Sequence, residues 1–320
     1  MAGTNRVDRE KTKSLLQKLA HGQMSGPGEH DVGIPGVTLH RVEQPVRGCA
    51  HLYKPMIVKM IQGRKRVVTG GEEYHYGDND ILVTGVDVPG VIVECEASPD
   101  APCTAISVDL DKSLVAKLAL EIPRGLPDAV PSVRGILVQP LGAAMLDAFA
   151  RLSELFVMPE RAPVLAPMII KEIHYLLLIG PNGHSLISLC TPGSQSNQIF
   201  QAISCLKQNI TATVQIEELA EKAHMAPSTF HRHFKEITAL SPIQYQKRLR
   251  LHEAQRLMLI QGMDVGNAGS AVGYDNLSQF NREYKRLFGD SPRRDVKKLM
   301  DEAILSRSSK SRMQYGLPSF

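Results

Sequence analysis

The chain contains no tryptophan, and aromatic residues make up only 5% of its 320 positions. Its core must therefore come from aliphatic side chains, which the 43% hydrophobic content supplies in plenty, so a disordered or collagen-like chain is excluded. Cysteine is scarce as well: Cys49, Cys95, Cys103, Cys190 and Cys205 are scattered over the length with no framework spacing. A small disulfide scaffold is ruled out, the five thiols read as small buried hydrophobes, and a reducing compartment is expected. Long apolar runs are missing too. The most apolar stretch, residues 169–179, is broken by Lys171, Glu172 and His174 and falls well short of the ~20 residues a membrane span needs. The first twenty residues carry charge throughout and lack a signal-peptide core, so the expected location is the cytoplasm, with no membrane partner.

Signatures of chemistry are equally absent. Neither a G-x-S-x-G elbow nor a phosphate-binding P-loop occurs, which removes the commonest nucleophilic and nucleotide-hydrolysing designs. The N-terminal histidines His21, His30, His40, His51, His75, His174 and His184 include no His-x-His pair, so no metal centre and no cofactor are expected. His231-x-His233 falls on a helical pattern, where positions i and i+2 point apart and do not chelate. The chain is not expected to be an enzyme.

What is there begins with charge. The formal net charge is a modest +4, but residues 195–300 hold 15 Lys and Arg against 10 Asp and Glu, whereas residues 1–194 hold 19 against 21. The C-terminal third therefore suits a polyanionic partner, although a basic face of this size is also compatible with simple solvation.

From Gly36 to Asp109 short β-branched runs alternate with turn signals: Val37–Val42, Met56–Ile61, Arg66–Thr69, Ile81–Thr84, Val91–Cys95 and Thr104–Val108, separated by Gly70-Gly71, Gly77-Asp78 and Pro89-Gly90. A small sandwich or barrel is expected. Beyond it Met145, Phe149, Leu152 and Phe156 form one helical stripe, which suits a dimer face or core equally, and a second helix is expected over Pro163–Leu178. The Gly-, Ser- and Pro-rich stretch Gly180–Asn197 reads as a connector. The predicted organisation is an N-terminal domain over 1–185, a linker over 186–197, a helical domain over 198–300 and a tail over 301–320; the fold class is α+β.

The helical part contains an internal repeat. Ser228, Phe230, Arg232, Lys235, Ser241 and Pro242 recur fifty positions later as Ser278, Phe280, Arg282, Lys285, Ser291 and Pro292. Each copy predicts a short helix, a tight turn and a longer helix (Ile216–Ala223 then Pro227–Ile237; Val265–Val272 then Leu277–Phe288), the layout of a helix-turn-helix. At 100° per residue, Phe230, Phe234 and Ile237, and in the second copy Phe280, Tyr284 and Leu287, face inward. The opposite faces carry Ser228, His231, Arg232 and Lys235, and Ser278, Gln279, Asn281, Arg282 and Lys285. Arg, Asn, Gln, His and Ser can hydrogen-bond base edges in a major groove, and Lys suits phosphates, so these nine residues are the candidate contacts to double-stranded DNA. A connecting helix over Ile243–Ile260 spans roughly 27 Å, close to the ~34 Å that separates successive grooves on one face of B-DNA.

These stretches, STFHRHFKEITALSPIQYQKRLRLHEAQRLML and VGYDNLSQFNREYKRLFGDSP, resemble the double helix-turn-helix domain of AraC/XylS-type transcription regulators. The segment HLYKPMIVKMIQGRKRVVTGG and Val86-Asp87-Val88-Pro89 resemble, less specifically, the cupin-like N-terminal domain of one AraC subgroup. The resemblance implies a β-barrel or cupin-like sandwich with following helices, which senses an effector or mediates homodimerisation, joined to an all-α DNA-binding domain. It further implies an activator-type, effector-controlled regulator that touches RNA polymerase. Ala239 and Ala226 depart from the pattern, standing where a glycine and a capping serine are usual.

One cluster suggests the effector's chemistry. Arg64, Lys65 and Arg66, followed by Thr69, Gly70 and Gly71, could hold an anionic or phosphorylated small molecule, such as a cyclic dinucleotide, through guanidinium and backbone N–H groups. The alternative is a solvated strand face, in a regulator controlled by abundance or by a protein partner.

Overall fold

The structure, a computed structural model, describes residues 2–122, 133–212 and 214–301. The expected tail beyond Asp301 lies outside the described residues.

Ten strands form two antiparallel sheets. In order across the first sheet lie β1 (Gly28–Asp31), β2 (Val37–Val42), β9 (Cys103–Asp109), β4 (Met56–Gln62), β7 (Asp80–Thr84) and β10 (Ile136–Pro140). The second holds β3 (Cys49–Tyr53), β8 (Val88–Cys95), β5 (Arg64–Thr69) and β6 (Glu72–Gly77). Tyr53, Ile57, Met60, Val67, Tyr76, Ile81 and Ile106 are buried in the core that the sheets form with each other and with the helices packed on them.

Helices pack outside this sandwich. α1 (Ala2–His21) lies along α3 (Ala143–Glu154), burying Leu16 and Ala20. Between the sandwich and α4 (Ala162–Leu178), α3 buries Met145, Phe149 and Leu152, and Phe156 follows in a short 3₁₀ turn. That stripe is therefore core, and the exposed apolar face belongs instead to α4, through Val164, Met168 and Tyr175. α2 (Lys112–Glu121) starts where the Asp111 carboxylate accepts from the backbone N–H groups of Ser113 and Leu114.

Residues 186–197, expected as a linker, are instead mostly helical. α5 (Gly183–Cys190) and α6 (Gln195–Gln208) are separated only by residues 191–194. Composition misled because Leu186 and Leu189 are buried against neighbouring helices and Ser194 caps α6, so the polar residues punctuate two helices and do not form a loop.

Five further helices follow: α7 (Ile216–Lys222), α8 (Pro227–Thr238), α9 (Pro242–Gln261), α10 (Val265–Ala271) and α11 (Leu277–Phe288), with residues 292–301 also helical. α9 opens on a capping box, Ser241 and Gln244 exchanging hydrogen bonds with each other's backbone. The apolar core does not divide at the expected linker. One continuous cluster runs from Leu16 through the sandwich to Phe230, Phe234, Tyr245 and Leu249, and a separate one joins Leu251, Leu257, Val272, Tyr274, Phe280 and Tyr284. The first helix-turn-helix thus shares its core with the sandwich, while the second has its own.

Candidate nucleic-acid interface

α8 and α11 are built alike. Phe230 and Phe234 in one, Phe280 and Tyr284 in the other, are fully buried with ring centroids 5.6 Å apart in each pair. Anchoring by these rings fixes which face of each helix meets solvent. Ser228, His231, Arg232 and Lys235 are exposed on α8, and Ser278, Arg282 and Lys285 are exposed on α11. Among the described residues no carboxylate pairs with Arg232, Lys235, Arg282 or Lys285, so their charge is available to an external anion.

The helix ends differ as the sequence implies. Ala226 gives α8 no side-chain cap, and Ala239 closes it in the left-handed region at φ 60°, a position that costs a Cβ-bearing residue ~1 kcal/mol or more. On α11, by contrast, the Asn276 side chain accepts from Gln279 N–H at 3.0 Å, and Gly289 closes the helix at φ 86°.

Two of the nine expected contacts sit at the edge of the face. Gln279 is half-buried and donates to Glu283 at 3.2 Å, while Asn281 lies at the mouth of a cleft lined by Met258, Gly262 and Val296. Glu283 also accepts from Lys247 and from the Tyr274 hydroxyl, each at 2.8 Å, which ties α11 to α9. Beside it the Arg250 guanidinium donates to the carbonyls of Ile210, Thr211, Ala212 and Gly273 at 2.7 to 3.1 Å. Sequence reading missed this brace, since its acceptors are backbone atoms of two loops and leave no side-chain pattern.

The Val86-Asp87-Val88-Pro89 segment proves to be a docking strip between the two parts of the chain. Asp87 pairs with Lys207 of α6 at 2.7 Å and its carbonyl accepts from the Tyr245 hydroxyl at 2.6 Å; the Pro89 carbonyl accepts from Arg248 at 3.1 Å and from Thr69 Oγ1 at 3.0 Å. Nearby, Gly135 N–H donates to the Ile237 carbonyl at the end of α8, at 2.7 Å.

The basic cluster is divided by this arrangement. Arg64, Lys65 and Arg66 line a cleft of about 730 Å³ that Asp78, Asp80, Glu94 and Glu96 also line. Arg66 is held by Glu73 at 3.0 Å and Glu94 at 3.3 Å, and its hydrogen bond keeps the Glu73 carboxyl below the usual range. Thr69 is buried on Pro89 and Gly70 abuts Ala239, so neither shares the cleft; Gly71 is exposed on the same turn. No group of three or more His, Cys, Asp or Glu among the described residues is arranged to hold a metal ion.

Buried histidines extend from inside the sandwich to the seam at β3. Burial lowers His51 and His40 to about 4 and His252 of α9 to about 3, with Lys65 or neighbouring imidazoles adding repulsion. The native state then takes up fewer protons than the unfolded chain in acid. Its stability is intact above about pH 6.5 and declines as pH falls toward about 4, by about 1.4 kcal/mol per pH unit and group. Thermal unfolding followed by circular dichroism should show Tm falling below pH 6.5, less steeply in His252→Gln; a flat Tm down to pH 4.5 would contradict it.

A family described as the AraC-type transcriptional regulator N-terminus matches residues 33–185, and a helix-turn-helix domain family matches residues 219–298. The chain belongs to the AraC-type regulators. Among its AraC-type relatives, the transcriptional activator RhaS of Yersinia pestis is 29% identical over 99 residues, covering 31% of this chain and 36% of RhaS. The uncharacterized HTH-type transcriptional regulator YobQ of Bacillus subtilis is 30% identical over 110 residues, covering 34% of this chain and 45% of YobQ. The chain therefore spans 36 to 45% of the length of these curated relatives. The likeness of fold covers more of the chain: ToxT of Vibrio cholerae, in a crystal structure with bound unsaturated fatty acid, superposes with a TM-score of 0.56 at 11% identity, over 81% of this chain and 94% of ToxT. No single helix among the described residues is long and apolar enough to cross a membrane.

Proposed function

We propose that the protein is a sequence-specific DNA-binding transcription regulator of the activator kind, whose N-terminal sandwich binds a small-molecule effector. The observation that carries this reading is the equivalence of α8 and α11, each of which presents an exposed Ser, Arg and Lys with no internal ion pair on a helix anchored by two buried rings. Ser228, His231 and Arg232, with Ser278, Asn281 and Arg282, are assigned to base edges, Gln279 to the rim of that surface, and Lys235 and Lys285 to phosphates. Arg232→Ala or Arg282→Ala is expected to cost about 1–3 kcal/mol on the cognate site and to relax preference at one base pair, whereas Lys235→Ala weakens all sequences alike and flattens the salt dependence. Titration of purified protein against its own upstream region and against scrambled duplex at two salt concentrations reads both effects. Equal losses on every duplex for the arginine variants would refute the assignment.

The effector is assigned to the cleft beside Arg64 and Lys65, where an anion such as a cyclic dinucleotide would pair with those two cations against the four carboxylates that share the lining. Repeating the titration with a panel of phosphorylated nucleotides tests that part separately, because DNA binding indifferent to the panel leaves the regulator and removes the anionic ligand. A second copy of the chain and RNA polymerase complete the proposed partners.

A further inference from the structure

We propose that Cys95 and Cys103 form a reversible dithiol–disulfide site that joins the two sheets of the sandwich, oxidised by a hydroperoxide and restored by a thiol reductant. Cys95 ends β8 in the four-stranded sheet and Cys103 begins β9 in the six-stranded one. Two independent crossings between the sheets fix them side by side. On one, Val42 pairs with Cys103 and Val46 bridges Cys95; on the other, Gln62 pairs with Thr104 and Lys65 with Cys95. Both side chains point inward, 1% and 2% exposed, and each thiol is the other's strongest electrostatic neighbour. The intervening residues 96–102 already form a closed turn, with the Ser98 N–H donating to the Ala101 carbonyl at 3.1 Å and the Ala101 N–H to Ser98 Oγ at 3.0 Å. A bridge would therefore join atoms the fold has brought together.

The two sulfurs are chemically unequal. Interaction with Cys103 and the positive charge of Lys65 outweigh burial and lower the Cys95 thiol, while interaction with Cys95 and burial push Cys103 up. Of the two, Cys95 ionises first and supplies thiolate, and Cys103 keeps its proton until it is needed. Gly63, exposed at the rim of the Arg64–Lys65 cleft, packs directly on Cys103, a Cβ there standing 3.2 Å from its sulfur, so the backbone of this glycine separates the pair from the cleft and a small oxidant enters by its local opening. In the reaction the Cys95 thiolate attacks a peroxide oxygen, forming S–O as O–O breaks; the departing hydroxide takes a proton from solvent and leaves as water. Cys103 then gives its proton to the sulfenic hydroxyl and attacks Cys95 sulfur, forming S–S as S–O breaks and a second water leaves. Two thiols lose two electrons and one hydrogen peroxide is reduced.

The experiment exposes the native full-length protein to hydrogen peroxide, quenches it, unfolds it and counts thiols, then maps linkage by mass spectrometry after cleavage at Glu96 or Asp100, which lie between the two cysteines. The expected result is a fall from five reduced thiols to three, a Cys95–Cys103 linkage lighter by two hydrogens, and full recovery with dithiothreitol. In Cys103→Ser the Cys95 sulfenic acid should persist and be trapped by dimedone. The proposal is overturned if peroxide sufficient to oxidise the exposed Cys49 leaves Cys95 and Cys103 as thiols, or if Cys95 links to any other cysteine. Wild-type mapping decides the matter even if the serine variant fails to fold, and neither result depends on DNA binding.

Discussion

Replacing Arg250 by alanine is expected to destabilise the second helix-turn-helix by on the order of 3 kcal/mol and to uncouple it from the rest of the chain. Arg250 lies in α9, at the point where the continuous core ends at Leu249 and the separate core begins at Leu251. Its guanidinium reaches the Ile210, Thr211 and Ala212 carbonyls on the side of the first unit and the Gly273 carbonyl in the turn of the second. Gly273 sits at φ 86°, and a Cβ there would meet the Thr211 oxygen at 2.9 Å, so the two loops are in backbone contact and only the planar fork of an arginine fits between them. Once the charge is gone, carbonyls partly shielded from water lose charged donors, and Gln246, which donates to the Ala212 and Ile210 carbonyls, remains as a partial substitute. Arg250→Lys should recover little, because an ammonium cannot span both loops. Urea unfolding followed by hydrogen exchange is expected to show α10 and α11 opening in a separate, earlier transition. A single transition at the wild-type midpoint would mean that the Lys247–Glu283–Tyr274 network alone holds the unit.

Much of the helical part was legible because α8, α9 and α11 bury large side chains between recognisable starts and stops. The expected Leu277–Phe288 coincides with α11, and Pro227–Ile237 falls one residue short of α8. Six strands were legible for the same reason, since Val, Ile and Thr alternate between Gly and Pro turns. Two of those that were missed lack that signal. β6 reads Glu72–Gly77 with a single buried side chain, Tyr76, and β1 buries only His30 of its four residues. α1 is charged throughout because it lies on the outside of the sandwich, and among its described side chains only Leu16 and Ala20 are buried. The candidate DNA contacts followed from the repeat, whereas the docking strip did not. Its bonds run from Tyr245 and Arg248 to the carbonyls of Asp87 and Pro89, and a carbonyl acceptor has no residue identity to read. Thr69 and Gly70 were grouped with three cations by adjacency alone, although successive strand residues point to opposite faces and the turn projects toward α8.

Gly70→Ala is the change expected to act most directly on the seam between sandwich and DNA-binding helices. Gly70 has φ 57°, and a Cβ at that position would overlap the carbonyl of Ala239, the left-handed residue that closes α8. The neighbour is backbone on both sides, so no side chain can swing away. Either the β5–β6 turn or the end of α8 must move, and the latter is also held by the Gly135–Ile237 hydrogen bond. Gly71 supplies the control: it has φ 95°, but a Cβ there meets nothing within 4 Å, so Gly71→Ala carries backbone strain without the overlap. The Gly70 variant should therefore lose on the order of 1–3 kcal/mol more than the Gly71 variant, with the excess appearing as faster hydrogen exchange at the α8 C-terminus and in Val86–Pro89. Because Arg232 and Arg282 face away from the turn, DNA binding itself should survive while any response to the effector weakens, as the first helix-turn-helix is no longer clamped to the sandwich. Equal stability of the two alanine variants would place the seam elsewhere, since a contact between two backbones cannot be relieved without moving one of them.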